Sequence, residues 1–230
     1  MTGRLQAVVF DFDGVLANSE PLHLAAFQEA LREAGIDLGR EEYYERYLGY
    51  DDVGLVEALA RDRGLAMDAA RATALLTRKA EVMAASLRSG AVLFPGAREL
   101  VREAAAAVPV AIASGALRHE IVEILREAGL DSHFPVIVAS GDTPQSKPSP
   151  QPYALAITRL AEAHGVTLDP RRCVAIEDSI WGIESARGAG LRCVAVATSY
   201  AADALTAAEL VVQQLSELTV ARLDRVCEGS

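Results

Sequence analysis

The sequence predicts an α/β protein: a doubly wound parallel sheet with an all-helical domain inserted after its first strand. Three observations carry this. Short Val- and Ile-rich apolar runs recur along the chain, helix-patterned segments alternate with most of them, and residues 17–91 show helical patterning only. Continuous apolar runs, as opposed to alternating ones, suit strands covered on both faces, and β/α alternation is the signature of a parallel sheet between helical layers.

The first strand covers 6–10 and runs into "DFDGVLANSE". Helical patterning follows over 21–34, 41–47, 51–64 and 68–87, punctuated by glycines at 35, 49, 64 and 90. A βαβ crossover needs only about a dozen residues. The stretch 17–91 is therefore read as a domain of its own, a cap, which leaves 1–16 and 92–230 as the core. Within the core the pattern gives helices at 96–107, 116–129, 150–165, 180–189 and 216–226, and strands at 108–113, 136–139, 173–176, 193–197 and 210–212. Gly129, Gly165 and Gly190 each stand where a helix should stop, the position at which a left-handed backbone closes the last turn.

Composition narrows the function. The 230 residues suffice for one core with a smaller attached domain, and 51% of them are hydrophobic, which argues against extended disorder. A formal charge of −10 without a basic stripe argues against nucleic acid and favours a small-molecule partner. No basic segment followed by a long apolar run precedes Asp11, so neither a membrane anchor nor a signal peptide is expected. A cytoplasmic monomer is the resulting expectation. Of the three cysteines, Cys173 and Cys193 open apolar runs and there is no C-x-x-C, which points to buried reduced thiols. Among 22 basic residues only Lys79 and Lys147 are lysines.

The polar residues sort by position. Asp11 and Asp13 end the first strand, Ser114 and Gly115 the second, Lys147 follows the third in "SGDTPQSKPSP", and Glu177 and Asp178 end the fourth. Ligands of open α/β sheets bind beyond the carboxyl ends of the strands, so these clusters should converge on one pocket. Four carboxylates facing one lysine call for a further cation. An all-oxygen donor set selects a hard ion, and Mg²⁺ fits because it takes few carboxylates and completes its shell with water and phosphate oxygens. The histidines, at 23, 119, 133 and 164, are scattered. The period of two puts Asp11 and Asp13 on one side while the strand continues, so that one can attack phosphorus and the other handle a proton. Ser114, the Gly115 amide and Lys147 supply donors for phosphate oxygens. A calcium loop is the bland alternative for Asp-x-Asp-Gly, but that loop has its glycine at the sixth position and Gly14 is at the fourth. Ser179 is placed to cap the helix that follows it.

"DFDGVL", the Ser-Gly after the second strand, "SKPSP" and "IEDSIWGIESARGAG" together resemble the four motifs of the haloacid dehalogenase (HAD) superfamily, with its Rossmann-like core. The helical insert resembles that of the β-phosphoglucomutase and CbbY-like sugar-phosphate phosphatase group. The resemblance implies Asp11 as a nucleophile that forms an aspartyl-phosphate and Asp13 as the acid and base. It implies Mg²⁺ held by Asp11, the main-chain carbonyl of Asp13 and Asp178, with Glu177 in or beside the shell. Ser114 and Lys147 would bind the phosphoryl group. It further implies substrate contacts from His23 and Lys79, with the cap closing over a small sugar phosphate to exclude water; Asn18, just past the first motif, is expected to line the entrance between core and cap as a further substrate contact. Trp181 is expected to pack beside the metal loop. Mutases of the group carry an Arg and a Ser in a cap loop that here reads "GYDDVGL", which favours a phosphatase over a β-phosphoglucomutase-type enzyme. A receiver-like signalling domain would share the sheet, the acidic pair and the lysine, and would need neither Asp13 nor the cap.

Overall fold

A computed structural model describes residues 5–48, 50, 52–87 and 93–228. The chain divides into two compact units, Met1–Asn18 with Ala91–Ser230, and Ser19–Gly90. The sequence-based seams stand after 16 and after 91; the second, with Gly49, Asp51 and Gly90, lies outside the described residues.

The first unit holds six strands: β1 (Ala7–Phe10), β2 (Val110–Ala113), β3 (Val136–Val138), β4 (Cys173–Glu177), β5 (Arg192–Val196) and β6 (Leu210–Val212). They form one parallel sheet in the order β3-β2-β1-β4-β5-β6. The strand order reverses between β1 and β4, where Phe10 is level with Ile176. One face carries small residues, Ala7, Ala111, Ala113, Ala175 and Ala195, and these let helices approach closely. The core on that face includes Tyr153, Ala156 and Leu160 of α7 (Gln151–His164) and Ile183 and Ala186 of α8 (Ile180–Gly188). Val8, Phe10, Val110 and Ile112 point to the other face and are equally buried. There α5 (Ala97–Ala107) packs on β2 and α9 (Val220–Val226) on α5, while α6 (Arg118–Ala128) links β2 to β3. Gly129 and Gly165 close α6 and α7 at φ 65° and 62°, in the left-handed region that made them readable as stops. The last predicted helix, 216–226, is instead a 3₁₀ turn at Leu215–Glu217 followed by α9, because Thr219 accepts a hydrogen bond from the Arg222 amide and starts a new helix there.

The second unit is wholly helical among its described residues: α1 (Glu20–Glu33), the short α2 (Arg40–Glu42) running into a turn of π-helix at Tyr43–Tyr47, α3 (Asp52–Arg63) and α4 (Ala69–Leu87). Leu24, Phe27 and Leu31, spaced three and four apart on α1, join Tyr43, Tyr47, Leu55, Leu59 and Leu75 in its own core.

Candidate active site

Asp11 follows β1 directly, and its amide still donates to Ile176 O of β4 at 2.9 Å. The regular strand ends at Phe10, so Asp11 and Asp13 stand on the loop that leaves it, with Phe12 buried between them. That loop turns sharply: Gly14 takes φ 77°, and the Leu16 and Ala17 amides both return to Phe12 O. A Cβ on Gly14 would lie 1.9 Å from Asp178 Oδ2, so only glycine lets the loop pass this carboxylate. On the far side of the switch point, β4 delivers Glu177 and Asp178. Gly182 in the first turn of α8 plays a matching part, since a Cβ there would fall 1.9 Å from the Glu177 carboxyl carbon.

Lys147 joins the two sides. Its Nζ donates to Asp11 Oδ1 at 2.7 Å and to Glu177 Oε1 at 2.6 Å. Glu177 is the hub of the site. Oε1 also accepts from the Tyr153 hydroxyl at 2.8 Å, and Oε2 accepts from the amides of Asp178 (3.1 Å) and Ser179 (3.2 Å) and from Ser179 Oγ (3.0 Å). Ser179 Oγ in turn accepts from the Gly182 amide, capping α8 as predicted. Ser199, beyond β5, donates to Asp178 Oδ2.

The electrostatics follow from burial. Desolvation raises the Asp11 carboxyl to about 7 against the pull of Lys147, with Glu177 and Asp13 adding to the rise. Asp178 is pushed well above the carboxylate range by burial first, then by Glu177 and Asp11. Burial alone would lower the Lys147 ammonium, but Asp11 and Glu177 outweigh it and hold the group charged. One ammonium thus serves three buried carboxylates, Asp11, Glu177 and Asp178, which bring one oxygen each to within 4.8 Å of one another. This compact, anionic, all-oxygen donor set fits a hard divalent cation.

Of the other predicted residues, Ser114 ends β2 next to β1, nearly buried, with its amide on Val138 O at 2.9 Å and its Oγ accepting from the Ala116 amide. Gly115 and Asn18 are exposed. His23 and Lys79 meet inside the helical unit, where Lys79 Nζ lies 2.9 Å from His23 Nδ1 and donates to Asp52 at 2.7 and 3.0 Å. Lys79 is only 1% exposed, over the Phe27 ring, so its charge is met by Asp52 within that unit. Trp181 departs from expectation: it is half exposed, because the inward face of α8 is taken by Gly182, Ile183, Ser185 and Ala186. Cys173, Cys193 and Cys227 are buried free thiols.

The haloacid dehalogenase-like hydrolase profile matches residues 5–190. The chain belongs to this family. Protein CbbY of Rhodobacter capsulatus is 34% identical over 225 residues, covering 93% of this chain and 95% of that one. The phosphorylated carbohydrates phosphatase of Thermotoga maritima is 29% identical over 192 residues, covering 81% and 82%. The crystal structure of a CbbY variant from Rhodobacter sphaeroides in complex with xylulose-(1,5)bisphosphate superposes with a TM-score of 0.81 at 29% identity, covering 93% of this chain and 96% of that one. As a HAD-like hydrolase the protein is an enzyme, and its acidic cluster stands at the reversal point of the family's parallel sheet. Two residues at the site were missed in the sequence. Ser199 follows the carboxyl end of β5, and the rule that found Ser114 would have found it. Tyr153 left a fainter mark, a phenol in an otherwise apolar helix face soon after "SKPSP".

Proposed function

We propose that the protein is a Mg²⁺-dependent phosphatase that hydrolyses a small phosphorylated sugar through a phosphoryl-aspartate on Asp11. The observation that carries this is the Lys147 ammonium held between Asp11 and Glu177, beside buried Asp178, at the carboxyl ends of β1 and β4. A carboxylate whose charge is partly met by an ammonium can attack an anionic phosphoryl group that would otherwise repel it. An Asp11 oxygen forms the new bond to phosphorus as the phosphorus–sugar oxygen bond breaks, and the Asp13 carboxyl gives its proton to the departing oxygen. Asp13 then takes a proton from water, the water oxygen bonds to phosphorus, the bond to Asp11 breaks, and inorganic phosphate leaves. Lys147, Ser114 and the Gly115 amide bind the phosphoryl oxygens. Asp11, Asp178 and the Asp13 carbonyl would hold Mg²⁺ with Glu177 at its edge, and the bound ion would offset charge on the phosphoryl oxygens. Asn18, His23 and Lys79 remain proposed substrate contacts, and the cytoplasm and a single-chain state are the proposed setting.

The name of the Thermotoga maritima relative and the xylulose-(1,5)bisphosphate bound in the Rhodobacter sphaeroides structure support a phosphorylated carbohydrate as substrate. Phosphatase is preferred over phosphosugar mutase because Gly49–Asp52 offers no cation for a second phosphate, and Asp52 is engaged by Lys79. The test is phosphate release from a panel of sugar mono- and bisphosphates, with and without Mg²⁺, by wild type and Asp11→Asn. Mg²⁺-dependent release by wild type alone is expected. Conversion of β-glucose 1-phosphate to glucose 6-phosphate without phosphate release would replace this reading by the mutase.

A further inference from the structure

We propose that Tyr153 is a positioning residue that fixes the Lys147 ammonium between Asp11 and Glu177, an inference that rests on the phosphatase reading of the site. No step of the proposed cycle uses the Tyr153 hydroxyl, and a phenylalanine would fill the same apolar volume among Ala156, Leu160 and Val138. Tyr153 is nonetheless fully buried with a hydroxyl, which costs free energy unless a partner is built for it. That partner is the site itself. The hydroxyl donates to Glu177 Oε1, the same oxygen that receives Lys147, and the Lys147 ammonium lies 5.0 Å from the centroid of the Tyr153 ring.

One side chain therefore touches both members of the Lys147–Glu177 pair. The ring gives the ammonium a face to rest on. The hydroxyl fills the second acceptor direction of Oε1, so Lys147 is not drawn wholly to Glu177 and stays shared with Asp11 at 2.7 Å. The remaining freedom of Glu177 is removed at Oε2 by the three donors of Asp178 and Ser179. The platform is anchored as well: Ser185 Oγ of α8 donates at 2.5 Å to Ser149 O in the segment between Lys147 and α7, and a Cβ on Gly188 would come 3.3 Å from Pro150. Removing the hydroxyl leaves the ring in place and frees the ammonium to slide toward Glu177 and away from Asp11.

The experiment uses the full chain and the variant Tyr153→Phe. Because the chain has only two lysines, lysine labelled with ¹⁵N at Nζ gives two side-chain signals, assigned with Lys147→Met. The Lys147 signal is expected to move in Tyr153→Phe while that of Lys79 stays. On the best substrate of the panel kcat should fall about tenfold with KM nearly unchanged, as for a misplaced group that does not itself bind substrate in the ground state. An unmoved Lys147 signal, or wild-type kcat beside a moved one, would overturn the proposal. Inactivity of the wild-type protein on every substrate would count against the phosphatase reading, and the lysine spectra would still report whether Tyr153 sets the ammonium's place.

Discussion

At the scale of single residues, Lys147 has the most to lose. It is 14% exposed and sits against two carboxylates that are more buried than itself, so its removal leaves like charges without a counterion. Lys147→Met is expected to lower kcat by about two to three orders of magnitude, roughly the loss seen for a single electrostatic group at a transition state. Its melting temperature should fall in Mg²⁺-free buffer and recover in part when Mg²⁺ is added. An unchanged melting temperature without Mg²⁺ would mean that the carboxylates do not depend on this ammonium. Asp11, Glu177 and Asp178 were legible in the sequence because each stands at the end of an apolar run, and Lys147 because it is one of only two lysines and lies in the polar stretch after the third strand. Tyr153 was not, since a tyrosine on an amphipathic helix reads as core, and its hydroxyl gains meaning only from Glu177, distant in sequence and adjacent in space.

Among the elements, α8 shows how a helix start can be shaped by what lies over it. A glycine inside a helix normally costs about 1 kcal/mol relative to alanine, so Gly→Ala there usually stabilises. Gly182 should show the opposite sign, because the added methyl would meet the Glu177 carboxyl group at 1.9 Å. Gly182→Ala is expected to lower both the unfolding midpoint and Mg²⁺-dependent turnover, checked by thermal melts and the phosphate-release assay; a stabilised, active variant would place the Glu177 carboxyl elsewhere. The main elements themselves were readable, β1 to β6 from apolar runs and α6 and α7 from their glycine stops. What escaped was local in cause. The π-helical turn at Tyr43–Tyr47 leaves the same apolar spacing as an α-helix, and the break before α9 depends on one hydroxyl, that of Thr219.

For the molecule as a whole, the helical unit ties stability to pH through His23. Burial first, and then the Lys79 charge, lower this imidazole from its usual 6.5 to about 4. Between those values the unfolded chain binds a proton that the folded one refuses, so stability should fall as pH drops from about 6.5 toward 4 and carry no such penalty above that window. Urea unfolding of wild type and His23→Gln across this range checks it; an equal pH slope in both would clear His23 of the effect. The two-part layout was legible because a helical stretch as long as 17–91 cannot be a crossover, whereas the Lys79–Asp52 pairing was not, being a meeting of α3 and α4 that no local pattern announces. The strand order has a consequence for a chain still being made. Val8 of β1 is flanked by Val110 and Val174, so the first strand synthesised sits inside the finished sheet and waits longer than any other strand for both of its neighbours. Until the ribosome has passed residue 174, β1 offers an open, apolar edge, the kind that recruits other chains. In the meantime, the helical unit, complete far earlier with its own core, is the part able to settle first.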